Sequence, residues 1–260
     1  MEKIIWILLL FSCFHSNAQP NTTAVSYQFT YVVGGKPVNS KSILRCSGSL
    51  SMFQYSSDFN QDNKVQTNDD GSLSVNLKSA DSYYLFDLNN KKLTFTDDID
   101  DKIYKINENF LAMRWVLSNQ KEETRKINGF MCNRATLNFR GRNYIAWYAP
   151  KLPLPFGPWK FNGLPGLILE IYDTENSYHW SATKIVYPSK EKVDFGVIDK
   201  LKAKEIPLRE FVEKYENALK RKQEAMLARL PRGFKVENTS LVRASVELIY
   251  EWETRKATEN

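Results

Sequence analysis

FMCNRATLNFRGRNYIAWYAP, residues 130–150, reads as two strands joined by a tight turn. Met131, Ala135, Leu137 and Phe139 fall mostly on one face, because alternate residues of a strand point to opposite sides. Arg140-Gly141-Arg142-Asn143 supplies the turn, and Tyr144 to Tyr148 returns with aromatic and β-branched residues suited to a pleated, half-buried surface. Beyond the hairpin, Pro150, Pro153, Pro155 and Pro158 follow one another closely. Proline lacks an N–H and has a fixed φ, so this density excludes a helix or a central strand and predicts an extended crossing over the surface. In Gly163-Leu164-Pro165-Gly166, Pro165 and Gly166 suit the second and third positions of a type II turn, which gives Gly163, Pro165 and Gly166 a structural role. A strand is expected over 167–172 (LILEIY), with its antiparallel partner over 178–186.

Working outward, 25–33 (VSYQFTYVV) reads as a strand, and 44–55 alternates loosely through Ser47-Gly48-Ser49. Residues 83–88 and 93–96 read as a hairpin, with short strands over 103–106 and 115–117. Residues 60–71 are polar and end in a turn at Asn68-Asp69-Asp70-Gly71. The acidic run 97–101 (DDIDD) lacks the glycine and distal glutamate of an EF-hand loop and reads as a solvated turn. One long helix is predicted. Pro207 suits its first position, and Leu208, Phe211, Val212, Tyr215, Leu219, Met226, Leu227 and Leu230 recur at helical spacing before Pro231 and Gly233 end it. Lys220-Arg221-Lys222 reads as a solvated helix face rather than a contact with anionic lipid. Residues 245–252 read as a last strand or a short helix. The fold class is therefore mainly β (α+β): a curved or half-open antiparallel sheet with one long helix in the C-terminal region.

At the N-terminus, Lys3, the apolar run 4–11 and the small residues of Ser16-Asn17-Ala18 have the layout of a secretory signal peptide, with cleavage expected between Ala18 and Gln19. The organisation is then a signal peptide over 1–18 and a single domain over 19–260. The alternative, lipid attachment at Cys13, is disfavoured by the bulky Phe11. No later segment approaches the roughly 20 apolar residues of a transmembrane helix. The net charge of +6 is modest and spread along the chain, and does not imply a nucleic-acid partner. Cys46 and Cys132 remain after cleavage. In an oxidising compartment they form one disulfide, which chain-entropy arithmetic values at about 4–5 kcal/mol, or else stay as two buried thiols. His179 is the only histidine outside the signal, so a zinc site of the usual His-rich kind cannot be built, and no cofactor is implied.

The runs 129–135 (GFMCNRA), Phe139-Arg140-Gly141-Arg142, Ala146-Trp147-Tyr148, 157–161 (GPWKF) and 163–170 (GLPGLILE) together resemble the GLPGLI family, also called the Porph_ging domain, of Bacteroidota envelope proteins. The resemblance implies an exported protein of the periplasm or outer membrane, without naming a reaction. If the Pro-rich segment folds over the hairpin, Arg140, Arg142, Trp147, Trp159, Phe161 and Glu170 line one ligand-binding groove, with Arg140 or Arg142 as partner for Glu170. The leading expectation is a non-enzymatic binding or carrier module for a hydrophobic or peptide-like ligand or an outer-membrane assembly. One alternative is an envelope hydrolase using His179 or a carboxylate pair such as Glu170 and Asp173, although three residues apart on a strand these point to opposite faces. The other is a structural or secretion-associated protein. A deep apolar pocket favours the first, a polar cleft centred on His179 the second.

Overall fold

The computed structural model describes residues 22–56, 65–67, 73–75, 81–109, 112–118, 123–229, 243 and 245–257. The signal segment with its cleavage site, the 68–71 turn, and the helix-ending Leu230, Pro231 and Gly233 lie outside the described residues. The strands are β1 (Thr22–Val33), β2 (Lys36–Ser47), β3 (Leu50–Ser56), β4 (Val65–Thr67), β5 (Leu73–Val75), β6 (Ser82–Asp87), β7 (Lys92–Ile99), β8 (Lys102–Asn109), β9 (Val116–Leu117), β10 (Thr124–Ile127), β11 (Phe130–Phe139), β12 (Arg142–Ala149), β13 (Leu167–Asp173), β14 (Tyr178–Ser189) and β15 (Lys204–Pro207). The helices are α1 (Leu208–Leu227) and α2 (Glu251–Ala257).

One 13-stranded sheet carries the fold, in the order β10-β11-β12-β13-β14-β1-β2-β3-β6-β7-β8-β15, with β9 also on β11. Its path does not close on itself. The pairings are antiparallel except the last, where β15 runs parallel to β8. β1 joins two meanders, pairing with β14 on one side and β2 on the other.

Local chemistry explains the turns. Between β11 and β12 only Arg140 (φ 45°) and Gly141 (φ 85°) form the connection, because Phe139 already pairs with Arg142. The expected four-residue turn thus shortens to a two-residue turn whose positive φ values match the twist of a hairpin. The acidic run resolves the same way. Asp97 and Asp98 belong to β7, and Asp100 (φ 50°) and Asp101 (φ 61°) make the turn into β8. Residues 44–55 are two strands that reverse at Gly48 and Ser49. Residues 245–250 are neither strand nor helix: they bend at Ser245 and Val246 and lead into α2.

Alternate residues supply the core: Val25, Tyr27 and Phe29 of β1, Tyr144 and Ala146 of β12, and Trp180 of β14 are buried. Apolar burial of this kind contributes about 25 cal/mol per Å² and is the main stabilising term of such a sheet. The Pro-rich segment after β12 is neither helix nor strand, as predicted, but it is not an extended crossing: it doubles back so that Phe156 pairs antiparallel with Asn162, and it does not run over the surface. Leu152, Phe156, Phe161 and Leu164 are each no more than 1% exposed. Prolines dictated the backbone, but the apolar side chains between them needed burial. The backbone donors of the next strand are met on the way, since Leu167 donates to Leu152 O (2.9 Å) and Ile168 to Phe156 O (3.0 Å).

The Pro165-Gly166 reversal is not a type II turn. Gly166 N–H donates to Leu164 O at 2.8 Å, a tighter loop centred on Pro165. Gly166 has φ +156°, and a Cβ there would sit 2.4 Å from the carbonyl oxygen of Ala149. Glycine is required because backbone meets backbone. The expected disulfide is also absent, for both cysteines are free and buried. Cys46 shares β2's inward face with Leu44. Cys132 stands opposite Arg125 in the ladder, and Arg125 lies over Trp147 on the other side of β12. Paired residues share a face, so the two thiols lie on opposite faces of the sheet.

Gly166→Val and even Gly166→Ala are expected to lower stability by about 3 kcal/mol or more, because fixed backbone atoms block the new Cβ. Leu169→Ala in the core should cost roughly 2–5 kcal/mol. Thermal melts will order these variants. A Gly166→Ala protein that melts like wild type would contradict the close approach. Without reductant, thiol titration should find no reactive cysteine in the native protein and both after denaturation.

Candidate functional site

A groove of about 830 Å³ lies between the sheet, the Pro-rich segment, α1 and the coil before α2. Tyr84 and Phe95 form its sheet wall. They are cross-strand partners on β6 and β7, with rings stacked at 5.2 Å. Asp97, two residues along β7 from Phe95, lines the same wall. The opposite side comes from α1, whose Leu208, Phe211 and Val212 are buried while Tyr215 at the rim is 42% exposed. Trp159 closes one end, with φ +54°. Positive φ is uncommon for so bulky a residue, and it is held by edge contacts with Phe161 (5.0 Å) and Phe139 (6.3 Å). The sequence 157–161 (GPWKF) thus sends successive side chains to different places: Trp159 to the groove, Lys160 to a buried ion cluster, Phe161 to the core. Gly157 permits the segment to sit down, since a Cβ there would lie 2.8 Å from Ile168 Cδ1.

The ion cluster forms the groove's floor. Lys160 Nζ binds Glu108 at 2.8 Å and Glu247 at 3.0 Å, and Arg140 binds Glu108 at 2.7 Å, Glu251 at 3.0 Å and Glu247 as well. The side chains of Arg140, Lys160, Glu108 and Glu247 are 2%, 3%, 5% and 9% exposed. Charges so buried are tolerable only when paired and hydrogen-bonded. Burial pushes the Glu247 carboxyl up, but Lys160 and Arg140 together outweigh it and hold it below the usual range. Burial likewise opposes the charge of Arg140, and Glu247, Glu108 and Glu251 more than restore it. Arg142 belongs to a neighbouring pair, 3.0 Å from the buried Asp173, and donates to Ser245 O. Asp97 is different. Burial raises its carboxyl to about 6, only partly offset by a hydrogen bond from Asp98 N–H and by Lys160.

The outward face carries a separate group. Glu170 bonds His179 Nε2 at 2.8 Å and pairs with Arg125, whose guanidinium lies 4.3 Å over Trp147. Burial and the charge of Arg125 hold His179 below its ordinary pKa, so the imidazole is neutral at pH 7.

The six residues expected to share one groove are therefore divided. Trp159 lines it. Arg140 and Arg142 are consumed by internal ion pairs, and Phe161 is core. Trp147 and Glu170 stand on the opposite face, and the partners of Glu170 are Arg125 and His179 rather than Arg140 or Arg142. Glu170 and Asp173 do point to opposite faces. Sequence reasoning missed Asp97, Glu108, Lys160 and Glu247. Only Lys160, a lone charge within GPWKF, carried a visible signal; pairing partners 52 to 87 residues away have none.

An open, mostly antiparallel sheet wrapped against one helix and enclosing a paired charge cluster defines the class of the molecule. Within it, residues 138–170 match the family described as "Protein of unknown function (Porph_ging)", the family whose motifs the sequence resembles. Two solved structures share the fold, both of PNGF-II. One, in space group P21, has TM-score 0.53 and 14% identity over 76% of this chain and 34% of that chain. The other, in space group C2, has TM-score 0.52 and 15% identity over 86% of this chain and 36% of that chain. The chain thus spans about a third of the length of the PNGF-II chains it matches. Comparison with curated protein sequences returns no match.

Breaking the cluster should be severe: Lys160→Met leaves two buried carboxylates to Arg140 alone, and Glu247→Gln leaves Arg140 and Lys160 to share Glu108 as their one buried anion, at about 3–5 kcal/mol each. Because its folded pKa is depressed, Glu247 contributes stability that is present above its unfolded pKa and lost as pH falls below it. Asp97 has the opposite sign. Its raised pKa means that ionising it between its unfolded value and about 6 destabilises the fold. Asp97→Asn should raise the melting temperature at pH 7.5, with the gain vanishing near pH 4. Chemical and thermal unfolding across pH will check both signs.

Proposed function

We propose that this is an exported, non-enzymatic binding protein that holds the apolar part of a hydrophobic or peptide-like ligand in the groove beneath α1. The observation that carries this reading is the groove's make-up. Its walls are Tyr84, Phe95, Trp159, Phe211 and Val212, while the charges of its floor already satisfy one another. Concave, largely apolar sites with a few fixed polar groups are the common form of small-ligand pockets. Export to the periplasm or outer membrane rests on the signal-like layout of residues 1–18. An outer-membrane partner is the alternative occupant of the same surface. Hydrolysis through His179 is less favoured, because the Glu170–His179 pair lies on the opposite face and Arg125 shares its carboxylate.

Native mass spectrometry of the protein purified from the cell envelope is the direct test. A retained small-molecule adduct is expected on wild type and on His179→Ala. It should be lost from Val212→Arg, which places a charge and extra volume in the groove wall. A folded His179→Ala protein that alone loses its adduct, or a Val212→Arg protein that keeps it, would overturn the assignment.

A further inference from the structure

The groove has one charge it does not balance. Six carboxylate, lysine and arginine side chains line it: Asp97, Lys160, Glu216, Lys220, Arg243 and Glu247. Lys160 and Glu247 neutralise each other within the floor cluster. Glu216 pairs with Arg243, which also binds Glu253 at 2.8 Å. Lys220 lies 3.9 Å from Glu224 at the exposed rim. Asp97 alone has no cation at ion-pairing distance among the described residues. Its oxygens accept a hydrogen bond from the Asp98 N–H at 2.8 Å. The same wall presents aromatic faces. Tyr84 and Phe95 stand beside Asp97 on the sheet, with Tyr215 across the groove and Trp159 at its end. Aromatic faces carry negative quadrupole potential and attract cations, more strongly when desolvated. This molecule already uses that attraction, since Lys160 Nζ lies 4.3 Å from the centre of the Phe95 ring.

Resting on the binding reading above, we propose that the ligand carries an ammonium group that sits against Asp97 within this aromatic wall, with its apolar body along α1. A carboxylate that is desolvated, short of counter-charge and flanked by rings is complementary to a cation and repels an anion. Ionising Asp97 destabilises the empty protein, as its raised pKa indicates, and a bound cation removes that penalty. The surrounding charges do not change the sign. Lys160 is held by two carboxylates, and Lys222 on α1 binds Asp100 at 2.9 Å. Asp98 on the same strand and Glu247 on the coil add negative potential, while Tyr84 and Tyr215 are kept protonated by burial first and by Asp97 second.

Decylamine, decanol and decanoate test the head group at constant chain length, below the concentrations at which they aggregate, with binding followed by intrinsic tryptophan fluorescence at pH 7.5. Decylamine should bind wild type about tenfold or more tighter than decanol, and decanoate weakest. In Asp97→Asn, a variant expected to be at least as stable, decylamine and decanol should bind alike. The decylamine preference of wild type should also fade as pH falls below about 6, where Asp97 takes up a proton. A cation preference that persists in Asp97→Asn, or tighter binding of decanoate, would overturn the proposal. Equal binding of decylamine and decanol to wild type would sink this inference and leave the groove as a ligand site. No binding of any of the three would count against the groove itself, and the proposal would fall with it.

Discussion

The contact on which the rest of the molecule depends is the pairing of Arg140 and Lys160 with Glu108 and Glu247. It joins the end of β8, the β11–β12 turn, the Pro-rich segment and the coil before α2. These segments are far apart in sequence and could be brought together by apolar packing in several slightly different registers. A buried charge is less forgiving: displaced by a few ångströms, it loses its partner and its water together. Replacing such clusters with apolar side chains is often neutral for stability elsewhere, so the account that fits this arrangement is specificity. The cluster fixes how the loop and the coil sit on the sheet, and thereby shapes the groove.

The Pro-rich segment is the second constraint. Because its backbone doubles back between Phe156 and Asn162 and its apolar side chains are buried, it acts as an inner layer that supplies Trp159 to the groove and Phe161 to edge contacts with Tyr144 and Trp180. Gly157 and Gly166 let its middle and its far end approach neighbouring atoms more closely than any side chain would allow. The residues matched by the Porph_ging model, 138–170, span the hairpin turn, this inner layer and the start of the strand that follows. In physical terms the matched block is the piece that couples the sheet to its contents.

Much of the sheet was legible because strands announce themselves locally. The alternation in 130–150, the Asn89-Asn90 break between β6 and β7 and the helical spacing from Leu208 onward are properties of neighbouring residues. The burial of the Pro-rich segment was not legible, since prolines report on backbone and are silent about what lies above and below it. The cysteine pairing failed for a similar reason. Their number and compartment say nothing about which face of the sheet each occupies. The site was the least readable part. Arg140 and Trp159 drew attention by residue type, but whether an arginine greets solvent or a buried glutamate depends on the C-terminal coil, whose 245–250 run has no marked pattern of its own.

That coil has a bearing on when the fold can form. Leu248 and Ile249 N–H groups bond the Arg140 carbonyl, Tyr144 Oη donates to Val246 O, and Arg142 reaches Ser245 O. This coil therefore supplies an anion and several of the acceptors for a hairpin more than a hundred residues earlier in the sequence. Until it arrives, Arg140 and Lys160 share one glutamate and cannot be fully desolvated. Closing the core around these two cations waits on the coil. The order in which the molecule can be sealed thus runs opposite to the order in which its strands are laid down: the hairpin comes first in the sequence, and the coil that completes its ion pairs comes after it.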